Sequence, residues 1–554
     1  MIKKKITIEE KPLKDLLVDI DKGCFAIPKL QREFVWDGPK AAKLLDSIYN
    51  HMPVGVIMIW QTPKAQRLYL RQHYHILPPF EDTNSKVWFL IDGQQRISVF
   101  HHVRRENSQI ENARGTKVNF SRVVLSLVNE DDGQQIRYRK PSPGHYVSLF
   151  EVLHPHWRSR LNHLSKRQKN RVRKCRERIF SYSVPLMFVD AKINEIRESF
   201  LRINTQGMKI TTADAIFTNA EDLDLRDVRH EVRQQLDDSF KDIPEMPILF
   251  AMAAVQGAKE ARGPAIKQII LRLQKDANKD MALRETIGEE WQCLSKCFGK
   301  AVDYLRQNFS VVNRGFLYSD YIVSLLALFF YWNGRGPSAG QKKRINQWFW
   351  ATTVGSRYTG RNFHLLIPKD WEFFKKLANK PSTKFHYTPQ VEKSDVRKAR
   401  YSARTGITSA FYCMMLRRRP VSIMEDGLND IPPDTYASSA NRKDRHHIFS
   451  RAALKRVDIP PNEYNGVCNI CLLTAEENQS IGSVLPRKYL RELDETGTYF
   501  KRKMSRHLIP VHTESGVWVR DVKRGFRRFI KERSEMICNA LEDEAGIRLF
   551  RRDL

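Results

Sequence analysis

Two adjacent histidines, His446 and His447, precede two spaced asparagines, Asn469 and Asn478, in the stretch DRHHIFSRAALKRVDIPPNEYNGVCNICLLTAEENQSIGSVLPRKY over positions 444–489. Hydrolysis of a phosphodiester with one metal ion needs three things: a base for the attacking water, ligands that hold the ion against the phosphate, and a group that fixes the base. Neighbouring side chains on an extended strand point to opposite faces, so one imidazole can bind metal while the other faces water. Residues 467–473 (VCNICLL) read as a second strand carrying Asn469. Thr474 then opens a helix with a capping box, Thr474-x-x-Glu477, in which hydroxyl and carboxylate satisfy free backbone N–H groups. Asn478 follows within the first turn, where its amide oxygen can project towards the metal. Strand, strand and helix make a ββα arrangement.

This segment resembles an HNH endonuclease motif, specifically the variant at the C-terminus of GmrSD-type restriction proteins. The resemblance implies that His447 is the general base, His446 a metal ligand, Asn469 the residue that orients the base, and Asn478 a second ligand. It depends on the HHI run, the spaced asparagines, the capped helix and Pro486-x-x-Tyr489. Two positions depart from the family pattern: Ser450 stands where Pro is frequent, and the Lys common after the last Asn is missing, which removes an expected phosphate contact. Basic segments at 417–419, 501–506 and 523–533 are expected to hold a nucleic-acid backbone. Cys468 and Cys471 lie within the expected strand at an odd offset and lack a second pair to complete a zinc tetrahedron, so they read as core residues. Cys293 and Cys297 share a helix face with no evident ligand nearby and read as structural.

A second constellation lies at 87–99 (VWFLIDGQQRISV), which reads as a buried strand, a sharp turn at Asp92-Gly93 and a helix from about Gln94. A glycine turn entering a helix presents unpaired N–H groups and the positive end of the helix dipole, which suits phosphate. Arg96 adds a bidentate fork. Around it stand Ile27-Pro28-x-x-Gln31-Arg32-x-x-Val35-Trp36, Leu44-Leu45-Asp46-Ser47-Ile48, Pro53-x-Gly55 and Phe200-x-Arg202-Ile203-Asn204-x-x-Gly207. Together these resemble the N-terminal domain of the same GmrSD-type proteins, with its ParB/sulfiredoxin-like fold and Asp-Gly-Gln-Gln-Arg motif. The resemblance covers residues 1 to about 215 and implies nucleotide binding and hydrolysis, with Asp92, Gly93, Gln94, Gln95 and Arg96 at the phosphates. Gln31 and Arg32 are implied neighbours, and Arg202 and Asn204 complete the pocket. Structural capping of the turn is the alternative role for Asp92. The chain has no Gly-x4-Gly-Lys-Ser/Thr loop, so a P-loop is not the source of any hydrolysis.

The elements that must position these groups fall into several domains, since 554 residues exceed one ordinary core. Short apolar runs at 54–60, 87–91 and 123–128 read as strands, and Asp37 with Gly38-Pro39 as a helix start ahead of Leu44, Leu45, Ile48 and Tyr49. From about 214 to 400 the pattern is mainly helical, and the apolar run 321–332 (YIVSLLALFFYW) is too short for a bilayer, which takes roughly 20 residues, so it reads as a buried helix. Trp348, Trp350 and Tyr358 read as core aromatics. The passage 425–444 has the composition of a linker. The expected organisation is α+β and multidomain: a ParB/sulfiredoxin-like α/β domain at 1–215, a helical region at 216–420 and a ββα-metal (HNH) domain at 421–554.

Charge names the partner. The chain carries 94 Lys+Arg against 63 Asp+Glu, a net +31, and nucleic acid is the commonest polyanion partner of such a protein. Between 156 and 178, ten Lys/Arg face one Glu; as a helix this segment suits a phosphate backbone or a solvated face. No secretory pattern follows the N-terminal lysines, and scattered cysteines fit reduced thiols, so a cytoplasmic location with no membrane partner is expected. The expected function is a metal-dependent (Mg2+ or Mn2+) DNA endonuclease with a domain responsive to a nucleoside triphosphate, sensing modified DNA in anti-phage restriction. A nucleotide-gated DNA-binding regulator with a non-catalytic HNH fold and an RNA-cleaving toxin nuclease remain as alternatives, and a homodimer remains open.

Overall fold

The computed structural model describes residues 5–551 apart from 29–30, 32, 64–75, 81–85, 113–115, 129–132, 194, 197–198, 200–212, 214–215, 217–222, 224 and 433–444. It is mixed α/β, with a small mixed sheet and a helical C-terminal region. Two compact units divide it: Met1–Asp227 with Ile270–Lys279, and Val228–Ile269 with Asp280–Leu554. Position 420 lies inside the second unit, which holds both the helices and the histidine-bearing segment. No helix of the described residues is long and apolar enough to cross a membrane.

The first unit is built on β1 (Lys5–Pro12), α1 (Leu13–Asp21), β2 (Phe25–Ala26), α2 (Gly38–Tyr49), β3 (Ile57–Pro63), β4 (Lys86–Asp92) and α3 (Gln94–His102). Five small elements follow: β5 (Gln109–Glu111), β6 (Lys117–Asn119), β7 (Val123–Ser126), β8 (Ile136–Tyr138) and β9 (Tyr146–Ser148). Then come α4 (Leu149–Leu153), α5 (Trp157–Arg160), α6 (Lys166–Ser181) and β10 (Ser183–Asp190). The main sheet has the order β1-β10-β3-β4-β2. It is mixed, because β10 runs parallel to β3 while β3 and β4 are antiparallel.

Alternation along β3 and β4 explains their near-continuous apolar sequence. Ile57, Ile59 and Leu90 enter the large core with α1, α2 and α3, whereas Trp60, Val87, Phe89 and Ile91 enter a second cluster with Ile196. Both faces are covered, so neither needs polar residues. The strand expected at 54–60 instead begins at Ile57, because Gly55 adopts φ 82° and the carbonyls of Val54 and Val56 turn towards Arg96. Asp37 caps α2 as expected, its side chain accepting from the Lys40 N–H at 2.9 Å.

In the second unit, the helix Tyr321–Asn333 is buried continuously from Ile322 to Phe330, among helices Glu245–Val255, Met281–Phe309 and Phe363–Asn379. Trp348 and Trp350 are fully enclosed and Tyr358 is buried, with Trp348 Nε1 donating to Tyr358 Oη at 2.9 Å. These are core aromatics. The linker-like passage is folded over its described part: Val421 bridges Asp430, and Ile431 N–H donates to Pro420 O at 2.8 Å. The remainder, 433–444, lies outside the described residues.

Candidate active site

β11 (Arg445–His447) and β12 (Ile470–Leu472) form an antiparallel pair in which His446 faces Cys471 and His447 faces Ile470. Val467–Asn469, expected as strand, is a 3-10 turn that delivers the chain into β12. The helix Ala475–Ile481 follows, capped by Thr474 and Glu477 in the expected reciprocal box. Glu477 does more than the motif requires. One carboxylate oxygen closes the box; the other accepts from Ser422 Oγ at 2.7 Å, Ile423 N at 2.7 Å and Met424 N at 3.1 Å. This anchors the turn from which Asn478 projects.

The two imidazoles separate as strand geometry demands. His446 points inward, 3% exposed, with Nδ1 3.0 Å from Asn478 Oδ1 and Nε2 buried without a hydrogen-bond partner among the described residues. Burial depresses its pKa from 6.5 to about 4, against an upward pull from Asn478. His447 is half-buried, its Nε2 3.0 Å from Asn465 Oδ1 and the edge of its ring against Tyr401. Burial lowers its pKa, opposed by the Asn465 bond and reinforced by the charge of Arg451. Both rings are therefore neutral near pH 7, the form in which imidazole can ligate or accept a proton. They open onto a cleft of about 870 Å³ whose walls include Tyr401, Arg445, Arg451, Lys455 and Asn478.

Of the four residues expected here, His446, His447 and Asn478 share the cleft. Asn469 does not: it is fully buried and has no hydrogen bond to His447 among the described residues. Its Oδ1 accepts from Phe449 N at 2.9 Å, while Nδ2 donates to Phe449 O and Tyr464 O, each at 3.0 Å. Asn469 thus ties the chain just after His447 to the chain just before Asn465, and acts on His447 at one remove. Asn465 escaped the sequence reading because its only local signal is an Asn-Gly turn.

His446 and Asn478 suit a divalent ion. In this arrangement His446 donates its Nδ1–H to Asn478 Oδ1 at 3.0 Å; a shift of that proton to Nε2 would leave Nδ1 and Oδ1 at the separation of two adjacent ligands on an octahedral ion with bonds of roughly 2.1 Å. No group of three His, Cys, Asp or Glu donors stands among the described residues, so remaining positions would fall to water and phosphate oxygens. Cys468 and Cys471 are buried thiols held by Val396 O and His507 Nδ1 respectively.

Several basic residues expected to grip nucleic acid are engaged internally. Arg533 is fully buried and donates to the carbonyls of Leu508, Cys468 and His507 at 3.0, 2.8 and 3.0 Å. Lys503 is buried against Glu425 O, Arg506 binds Arg418 O, and Arg417 pairs with Glu544. Each holds the scaffold instead of facing solvent as a free cation.

In the first unit, Gly93 makes the expected turn at φ 97°, ending β4 and starting α3. The polar atoms around it bind protein. Arg96 donates to Val54 O at 2.7 Å, Val56 O at 2.9 Å and Asp92 Oδ2 at 2.6 Å. Gln31 donates to Leu90 O and Ile91 O at 2.8 and 2.6 Å. Gln95 accepts from Val35 N and donates to Glu33 O at 2.9 and 3.1 Å. Gln94 is buried beneath the turn. Arg32, Arg202 and Asn204 lie outside the described residues.

Residues 13–220 match the model of the GmrSD restriction endonuclease, N-terminal domain. The mixed sheet, with its glycine turn from β4 into α3, thus lies in the part of the chain that resembles the N-terminal domain of a restriction endonuclease. Over those residues the chain is similar to the GmrSD-type restriction endonucleases. An uncharacterized protein of Methanocaldococcus jannaschii is similar over nearly the whole length, with 20% identity covering 96% of this chain and 98% of the archaeal protein.

Proposed function

We propose that the chain is a metal-dependent DNA endonuclease of the HNH type, with its cutting centre at His446, His447 and Asn478. The observation that carries this is the meeting of a neutral imidazole and an amide oxygen at 3.0 Å beside a second neutral imidazole in one open cleft. With Asn465 accepting the Nε2 proton, Nδ1, beside the Arg445 carbonyl, would be the nitrogen that takes the proton of the attacking water. Mg2+ or Mn2+ bound at His446 and Asn478 would neutralise the scissile phosphate and the leaving oxygen. Arg451 and Lys455, on the wall of the cleft, supply the phosphate contact that the missing Lys leaves vacant.

The N-terminal domain is proposed as a ParB/sulfiredoxin-like, nucleotide-responsive sensor of modified DNA in anti-phage restriction. Support comes from the family match and from the N–H groups at the start of α3; Gln31, Gln95 and Arg96 would shape the loops around a nucleotide. The test is plasmid nicking with and without added Mg2+ or Mn2+ and each nucleoside triphosphate. His447→Ala should lower the nicking rate by about 10²–10⁴; a variant that cuts at the wild-type rate removes the assignment.

A further inference from the structure

α6 (KRQKNRVRKCRERIFS) carries eight basic residues and one Glu. A narrow stripe of Val172, Cys175 and Ile179 is buried in the core of the first unit, so the remaining circumference is left to charge. Four of the cations are engaged. Lys169 binds Asn162 O, Arg171 binds Gln135, Arg176 binds Val152 O and His154 O, and Arg178 binds Tyr49 O. Lys166, Arg167 and Lys174 are exposed with no hydrogen bond or ion pair among the described residues, and Arg173 has only a loose 3.9 Å pair with the exposed Glu177.

Beside this face lies a cleft of about 630 Å³ lined by Trp157, Phe180 and Pro12 together with four cations, Lys14, Arg158, Arg173 and Arg176, against two carboxylates, Asp15 and Glu177. Arg176 is fixed between the rings, 5.7 Å from Trp157 and 4.9 Å from Phe180, while exposed Arg158 lies 5.3 Å over Trp157. Flat guanidinium and ring surfaces beside the excess of cations on the outer face of α6 suit a sugar-phosphate strand with its bases. The 16-residue helix is about 24 Å long, the axial length of roughly seven base pairs.

We infer that the outer face of α6, with the Trp157–Phe180 cleft, is a nucleic-acid-binding surface of the N-terminal unit. It binds the phosphate backbone without reading sequence, and it needs neither the cleavage chemistry nor a bound metal. An anionic membrane is the competing partner. Nothing apolar projects from the exposed stretch of α6 to enter a bilayer, which favours nucleic acid.

The test uses the full-length chain and a short labelled duplex in EDTA, read by fluorescence anisotropy across a salt series. The triple variant Lys166→Gln, Arg167→Gln, Lys174→Gln changes only exposed, unpaired side chains. Its affinity at roughly 0.1 M salt should fall about tenfold or more, and the slope of log K against log salt should become shallower by about three. The charge-preserving Lys166→Arg, Arg167→Lys, Lys174→Arg protein should retain both. An unchanged affinity and slope in the triple Gln variant overturns the inference. So does loss of binding to phosphatidylserine vesicles with duplex binding intact. Because cutting is silenced in EDTA, the result stands apart from whether His447 is the base.

Discussion

The Asp92–Arg96 turn and the His446–Asn478 segment look alike as sequence, since each sets polar residues around strand and helix ends. Their polar atoms meet different partners. At the N-terminal turn, Gln31, Gln95 and Arg96 reach backbone carbonyls and amides of neighbouring strands and loops. At the C-terminal site, His446, His447 and Asn478 reach other side chains at the wall of a cleft, and the backbone work falls to Asn469 and Glu477. A motif can therefore be a scaffold whose function lies in the loops it holds, or it can be the reacting set itself. Partners, more than residue types, tell the two apart.

Mutations can break or sharpen this contrast. Beyond His447→Ala, for which the largest loss of cutting is expected, Asn469→Ala should cost roughly 3 kcal/mol of stability. It leaves buried Phe449 N and O and Tyr464 O without their partner, and a lowered thermal midpoint measures it. Arg96→Ala should cost about 2–3 kcal/mol, because the Val54 and Val56 carbonyls lose a charged donor. The same variant should leave metal-dependent nicking intact at a temperature where it is folded. If nicking falls with no change in midpoint, Arg96 is a reacting group and the contrast fails.

Asn465→Ala should slow nicking by about tenfold, the scale of one lost positioning hydrogen bond. It should also shift the acid limb of the rate profile downward, since the bond it removes raises the His447 pKa. An unmoved limb would detach Asn465 from the base. In the wild-type protein that limb should lie below 6.5, where burial has already taken His447. Stability should follow the same direction. His446 and His507 have folded pKa values of about 4 against 6.5, so their neutral burial contributes fully above 6.5. That contribution is lost as pH falls from 6.5 through 4, because the unfolded chain takes up the protons first. Calorimetry across that window measures it.

Much of the architecture was legible along the chain, because periodicity and local caps act over a few residues. The buried helix at 321–333, the cap at Asp37, the Thr474–Glu477 box, the Gly93 turn and the opposite faces of His446 and His447 all depend on neighbours in sequence. Tertiary structure alone decided that β3 starts late at Ile57, that Asn465 meets His447, that Asn469 works through backbone, and that Arg533 and Lys503 are interior donors. The physical reason is reach. A side chain's type fixes what it can bond, but which carbonyl, amide or imidazole arrives within 3 Å depends on segments brought together by folding.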